Sequence, residues 1–279
     1  MTCTDRRVLI TRTHGAAGVF AQELASCSGR LAPVELIYAP VHEAELYQGA
    51  KAEREAFLGK NFRWVTFTSA NGVLAAEAVL HQPLSQFLAS LKVACVGKAT
   101  ARALEGRGVK VDFTPTVSDA AHLASELPET AADHANRAVL CVQGTNARTT
   151  LTKGLTSAGW EVTPWNVYTM SPYPCQNPLN TREADAELTN VRIDQAVEEL
   201  PSVRAVVATA PSLLTGLYES WRLAQKEPDT EFPLVIAIGA TTARTAEQLG
   251  LRVVQSPTPS PSDLAQTTID SIEKEDNAS

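Results

Sequence analysis

Apolar and polar positions along this chain follow one repeated arrangement. Short β-branched or aliphatic runs, such as VLIT at 8–11, WVTF at 64–67, VACV at 93–96, AVLCV at 138–142, AVVA at 205–208 and LVIAI at 234–238, are each followed by a polar turn and an amphipathic stretch. After Val96 the apolar positions Ala99, Ala103 and Leu104 recur at helical spacing, and Gly106 and Gly108 end the pattern. Gly250 ends the corresponding stretch later in the chain, and Pro211 falls in a first helical turn, where its missing N–H costs nothing. Strand–helix units joined by short loops predict parallel sheets covered on both faces. The proline-rich segment SPYPCQNPLNTREAD (171–185) reads as a linker or surface loop, PTPSPS (257–262) as another loop, and EKEDNAS at the C-terminus as disordered.

The pattern is written twice. VACVGKATARALEGRGVKVDFTP (93–115) aligns without gaps on VIAIGATTARTAEQLGLRVVQSP (235–257). Gly97 falls on Gly239, Thr100 on Thr242, Arg102 on Arg244, Gly108 on Gly250 and Pro115 on Pro257. RWVTFTSANGVLAAEAVL (63–80) resembles RAVVATAPSLLTGLYESW (204–221), and the stretch 6–37 resembles 137–168. Position matching across both ends of a helix points to duplication, hence to two similar α/β domains.

Composition narrows the function classes. The chain has 279 residues, 44% hydrophobic and 20% charged, with a net charge of −7. An acidic chain of this kind lacks the basic face of a nucleic-acid binder. The five cysteines form no CxxC pair, and Cys95 and Cys141 lie inside apolar runs, which suits small core residues in a reducing compartment. Five scattered histidines and no HExxH give no metal site. No apolar run approaches the roughly 18 residues that span a membrane, and the N-terminus lacks a secretory h-region. The expected location is cytoplasmic, with no membrane partner.

The remaining signal lies at the helix starts. First-turn N–H groups lack intrahelical partners and carry partial positive charge. In a parallel sheet they share one edge with the strand C-termini, where ligands collect. Here that edge carries Thr11-Arg12-Thr13, Thr68-Ser69-Ala70-Asn71, Gly97 with Thr100, Gly144-Thr145-Asn146, Thr209 with Ser212, and Gly239 with Thr241 and Thr242. Amides, hydroxyls and a carboxamide suit carboxylates or phosphates and supply almost no acid–base machinery. The same residue types cap helices in any α/β protein, so a capping role stands beside the ligand role for each. No GxGxxG or GxxxxGK[ST] follows a strand, which gives nucleotide binding little support.

With these motifs in order, the chain resembles the uroporphyrinogen-III synthase family over nearly its whole length. The resemblance rests on VLITR (8–12), FTSANGV (67–73), VGKATARAL (96–104), QGTNARTTL (143–151), VYTM (167–170), TAPSLL (209–214), IGATTARTAEQLG (238–250) and PSDL (261–264). Ala210 stands where the family often has serine, and Gln143 where arginine is common. The resemblance implies two doubly wound parallel-sheet domains joined by a two-stranded link, with the active site in the cleft between them. One domain would comprise 1–37 and 171–279, and the other 38–170, with ELIYAP and NVYTM as the crossings.

The implied activity is that of a cofactor-independent lyase. It cyclises hydroxymethylbilane, a linear tetrapyrrole with eight carboxylates, to uroporphyrinogen III with loss of water and inversion of ring D. The pyrrole nitrogen expels the hydroxyl, and the protein controls geometry and excludes water. Tyr168 is implied to assist the leaving hydroxyl, with packing at the domain link as the competing role. Arg12, Ser69, Asn71, Gly97, Thr100, Gly144, Arg148, Ser212, Gly239, Thr241 and Thr242 would hold substrate carboxylates; for Arg12 and Arg148, internal pairing is the competing role. The family is usually monomeric, and the implied partners are the substrate and a transient contact with the upstream bilane-forming enzyme. Two other classes fit the rims: a binding module for an anionic metabolite, and a transferase for an activated sugar or nucleotide. A regulator with a synthase-like domain would need a helix-turn-helix segment, and none is left over.

Overall fold

A computed structural model describes residues 6–27, 33–129, 136–179, 190–225 and 230–278. Cys3 and the 180–185 part of the expected loop lie outside the described residues. In chain order the elements are β1 (Arg6–Ile10), α1 (His14–Cys27), β2 (Val34–Tyr38), β3 (His42–Leu46), α2 (Ala50–Phe57), β4 (Trp64–Phe67), α3 (Ala70–Leu80) and α4 (Leu84–Phe87). Next come β5 (Lys92–Cys95), α5 (Lys98–Glu105), α6 (Ala120–Glu126), β6 (Ala138–Gly144), α7 (Thr150–Ser157), β7 (Glu161–Pro172) and α8 (Ile193–Glu199). The last are β8 (Ala205–Ala208), α9 (Pro211–Ala224), β9 (Leu234–Ala237), α10 (Ala240–Gln248), β10 (Val253–Gln255) and α11 (Pro261–Ala278).

The chain divides into two compact units. One holds Met1–Glu43, Pro172–Pro174 and Asn180–Ser279, the other Ala44–Ser171 and Cys175–Leu179. Each carries a five-stranded sheet, ordered β10-β9-β8-β1-β2 in the first and β3-β7-β6-β4-β5 in the second. In the first unit every pairing is parallel, and so are the β7-β6-β4-β5 pairings of the second.

Side-chain alternation explains why both faces are covered. In the first unit Leu9, Val206 and Val235 pack with Ala196, Leu214, Leu217 and Ala246 from α8, α9 and α10. Their neighbours Val8, Ile10, Val207 and Ile236 turn to the other face and pack with Phe20 and Leu24 of α1 and with Leu264, Ile269 and Ile272 of α11. In the second unit Val65, Phe67, Val93, Leu140 and Trp165 face α2 to α5, while Trp64, Ala94, Val139 and Cys141 face α6 and α7. Strands buried on both sides lose the polar alternation of a half-exposed sheet, which is why they read as continuous apolar runs.

The duplication holds at the level of register. Leu9 lies opposite Val206, and Val206 opposite Val235. In the second unit Leu140 lies opposite Val65, and Val65 opposite Val93. So β1-β8-β9 and β6-β4-β5 superpose in the residue pairing of the sequence repeat, with β7 in the place of β2. The Ala94–Phe113 bridge takes the place of β10. The two stretches part beyond α1: six residues separate Cys27 from Val34, whereas three separate Ser157 from Glu161. Register makes Val162, opposite Val139, the counterpart of Leu36, opposite Val8; the gapless match instead puts Val167 there.

Two local expectations differ from the structure. The segment 35–40 is not a crossing: most of it is β2, paired with β1. The strand beside β7 is β3, whose sequence HEAEL is partly exposed throughout and too polar to register as an apolar run. The C-terminal residues EKEDNA are not disordered but continue α11 to Ala278. Leu264, Ala265, Ile269 and Ile272 at helical spacing drive that helix into the core beside α1.

Two helical glycines give a test with opposite signs. A Cβ on Gly18 in α1 meets nothing within 4 Å, whereas one on Gly154 in α7 lies 2.6 Å from the Ala124 Cβ of α6. Gly18→Ala should stabilise by about 0.5–1 kcal/mol through helix propensity. Gly154→Ala gains the same term but meets an overlap costing about 1–3 kcal/mol, so its urea midpoint should fall. A rise at both positions contradicts the close α6–α7 packing.

Candidate active site

The second unit gathers one group of the expected residues around a cleft of about 250 Å³ at the C-terminal edge of its sheet. Ser69, Gly144, Arg148 and Tyr168 line it, with Gln143 and Met170. Ser69 follows β4 in extended conformation as the N-cap of α3, and its Oγ accepts from Gly72 N at 3.1 Å. The same Oγ lies 3.1 Å from the Tyr168 hydroxyl.

A local irregularity delivers Tyr168 there. Along β6 and β7, Gln143 pairs with Asn166, but Gly144 pairs with Tyr168, so Val167 is skipped. Val167 stays fully buried in the core, and its carbonyl accepts from Tyr47 N at 3.0 Å. A bulge of this kind re-aims the next side chain. Beyond it, Thr145 N donates to the Tyr168 carbonyl at 2.9 Å and the Thr145 hydroxyl bonds that of Thr169 at 2.9 Å. The phenol ring then lies against the backbone of Gly144, where a Cβ would come within 2.8 Å of Cζ. Only glycine leaves room for the ring in that place.

The other helix starts divide into capped and uncapped. Thr13 caps α1 by accepting from Ala16 N at 3.3 Å. The N-cap positions of α5, α9 and α10 are Gly97, Ala210 and Gly239, and none provides a side-chain cap bond. Thr100, Ser212, Thr241 and Thr242 therefore do not serve as caps. Ser212 and Thr241 are exposed, whereas Thr100 and Thr242 are buried at 4% and 2% exposure and pack inward. Around Gly239 a Cβ meets nothing within 4 Å, so the first-turn amides of α10 are approachable. Asn71 is half-buried in the first turn of α3. Gly97 lies outside the cleft, in a separate groove with Lys98, Phe113 and Ser118.

The two arginines differ. Arg12 donates from Nε to the Thr209 hydroxyl at 2.7 Å, and desolvation lowers its pKa from the ordinary value. Arginine titrates so far above neutrality that it stays charged. Arg148 is exposed at the cleft and makes no ion pair with another described residue. Burial pushes the thiols of Cys95 and Cys141 up to about 11, which keeps both protonated and inert. Among the described residues no group of three or more His, Cys, Asp or Glu is placed to hold a metal ion. No described helix is long and apolar enough to cross a membrane.

An apolar wall of Ala120, Leu151 and Met170 completes the cleft, and none of the three is among the residues expected there from the sequence. Period-two spacing along β7 carried the signal for Met170, which lies two positions beyond Tyr168.

The comparisons agree with this architecture. A family model described as uroporphyrinogen-III synthase HemD matches residues 32–266. The chain belongs to that family. The porphyrin biosynthesis protein HemD of Ruminiclostridium josui is 25% identical over 253 residues, 89% of this chain and 45% of that protein. The chloroplastic uroporphyrinogen-III synthase of Oryza sativa subsp. japonica is 27% identical over 205 residues, 71% of this chain and 60% of that protein. The chain thus spans about half the length of the curated relatives it matches. A mutant uroporphyrinogen III synthase of the extremely thermophilic bacterium Thermus thermophilus matches in structure with a TM-score of 0.58 at 19% identity, over 96% of this chain and 99% of that one. The Helicobacter pylori 26695 enzyme gives 0.58 at 17% identity, over 95% and 99%. These two likenesses establish the shared two-domain fold.

The Ser69–Tyr168 contact predicts a distinctive stability pattern. Ser69→Ala removes the cap of α3 and should cost about 1 kcal/mol. Tyr168→Phe keeps the ring on Gly144 and should cost less. A double-mutant cycle by urea unfolding should give a coupling of about 0.5–1.5 kcal/mol. Zero coupling contradicts a formed hydrogen bond between the two hydroxyls.

Proposed function

We propose that this chain cyclises hydroxymethylbilane to uroporphyrinogen III, eliminating water and inverting ring D, which makes it a lyase. The observation that carries the reading is the Tyr168 phenol, seated on Gly144 in the cleft and bonded to Ser69 at a helix start. Family membership supports a tetrapyrrole as the substrate class.

The chemistry follows from these groups. Ser69 Oγ accepts from Gly72 N–H, so its own hydrogen is available to the Tyr168 oxygen. Tyr168 in turn donates its hydrogen to the departing hydroxyl of the substrate. Each donor in such a chain polarises the next. The adjacent pyrrole nitrogen pushes its electron pair toward the hydroxymethyl carbon, the C–O bond breaks, and an azafulvene forms. Attack by the substituted carbon of ring D gives the spiro intermediate from which the inverted ring closes. The proton lent to the leaving water is restored when the closing ring system sheds one. The apolar wall of Leu151 and Met170 limits access of water to the cation.

The carboxylates are held by the remaining features. The N-cap residues of α5, α9 and α10 give the first-turn amides no side-chain acceptor, and such amides suit anions. Ser212 and Thr241 add exposed hydroxyls beside them, Asn71 a carboxamide, and Arg12 and Arg148 fixed positive charge. Buried Thr100 and Thr242 shape the first turns from beneath.

Incubation with hydroxymethylbilane should give the type III isomer. Spontaneous type I product alone would support a binding module instead. Tyr168→Phe should lower kcat about tenfold or more with the fold intact, and Arg148→Ala should act mainly on KM. A Tyr168→Phe rate near that of the unsubstituted chain removes the phenol from the mechanism.

A further inference from the structure

One polar residue of the cleft, Gln143, is tied to a carboxylate outside it. Glu53, half-buried on α2, accepts from Asn166 N at 2.7 Å through Oε2 and from Asn166 Nδ2 at 3.1 Å through Oε1. Asn166 is the last residue in register before the bulge. Its Oδ1 accepts from Gln143 Nε2 at 3.2 Å.

The order of donors in this chain is forced. A carboxylate only accepts, so the Asn166 NH2 must face Glu53 and its Oδ1 must face Gln143. Gln143 then has to meet Asn166 with its own NH2. Its carbonyl oxygen is left as an acceptor, with no partner among the described residues. An acceptor suits neither a carboxylate nor a phosphate. It suits an N–H donor, and the proposed substrate carries pyrrole N–H groups along its length.

We propose that Gln143 Oε1 accepts a hydrogen bond from a pyrrole N–H of the substrate, and that Glu53, acting through Asn166, is the positioning residue that holds that oxygen toward it. This rests on the proposed cyclisation and deepens it. When the pyrrole nitrogen releases its electron pair, its N–H becomes more acidic, and a bond to a fixed acceptor strengthens as the cation forms. Such an interaction favours the transition state over the ground state and acts on kcat more than on KM. Carboxylate contacts at the helix starts are made equally in both states and act on KM.

Glu53→Gln reverses the chain. The single oxygen of the new amide stays on Asn166 N–H, and its NH2 is forced against Asn166. Asn166 must flip, Gln143 must flip with it, and the carboxamide then offers the substrate N–H donors in place of an acceptor.

The test is steady-state cyclisation of hydroxymethylbilane by the unsubstituted chain, Gln143→Met, Glu53→Gln and the double variant, with thermal unfolding of each as the check on folding. Gln143→Met keeps the side-chain volume and removes the acceptor; it should lower kcat about fivefold, the worth of one ordinary hydrogen bond, with KM within twofold. Glu53→Gln should lower kcat at least as far, and the double variant should be no worse than the poorer single one, because both changes remove one interaction. Two results overturn the proposal while leaving the cyclase reading intact: type III product with kcat within twofold of the unsubstituted chain in Gln143→Met, or losses that multiply in the double variant, as two unrelated structural bonds would give. No type III product from the unsubstituted chain overturns the cyclase reading, and this proposal with it.

Discussion

The approach of a phenol ring to a bare backbone is the constraint on which the candidate site depends. Tyr168 occupies space that a Cβ on Gly144 would need. The skipped residue Val167 is what lets Tyr168 reach that space, because an unbroken register would pair Val167 with Gly144. Val167 is anchored in the core and Tyr47 holds its carbonyl, so the extra residue has no lower-energy place to go. Bulge, glycine and serine thus form one unit, in which core packing fixes the backbone and the backbone fixes the hydroxyl.

The sheets supply the rigidity this requires. Each is parallel across its paired core strands and covered by helices on both faces, so strand ends cannot shift without disturbing two packed layers. The same layout appears in both units with equal central register, yet the units carry different chemistry. One ends in a cleft with a phenol and a serine that caps a helix. In the other, Thr13 caps α1, but the starts of α9 and α10 have alanine and glycine at the cap and no side-chain cap bond, as is also true of α5 in the first. The two units share one frame, and short differences in the turns distinguish their helix starts.

The frame was legible because buried parallel strands and amphipathic helices leave strong periodic traces. The repeats of 93–115 in 235–257 and of 63–80 in 204–221 are matched by the register, in which Val65 lies opposite Val93 as Val206 lies opposite Val235. Other features leave no such trace. HEAEL forms a strand through its position beside β7 and not through apolar residues of its own. The charged residues at the end of α11 mask a helix that Ile269 and Ile272 had already committed. A single skipped residue alters no composition, so the bulge at Val167 was invisible, and Tyr168 stood out only through the family likeness of VYTM. The Glu53–Asn166–Gln143 chain joins residues far apart in sequence that only the fold brings together.

Glycine at position 144 leaves the space in which the phenol sits. Comparing the cyclisation rate of Gly144→Ala with its thermal midpoint tests this most directly. Gly144→Ala should lose as much rate as removal of the Tyr168 hydroxyl, because the methyl group displaces the ring, with the sheet core still folded. A Gly144→Ala chain that cyclises at the unsubstituted rate would contradict it.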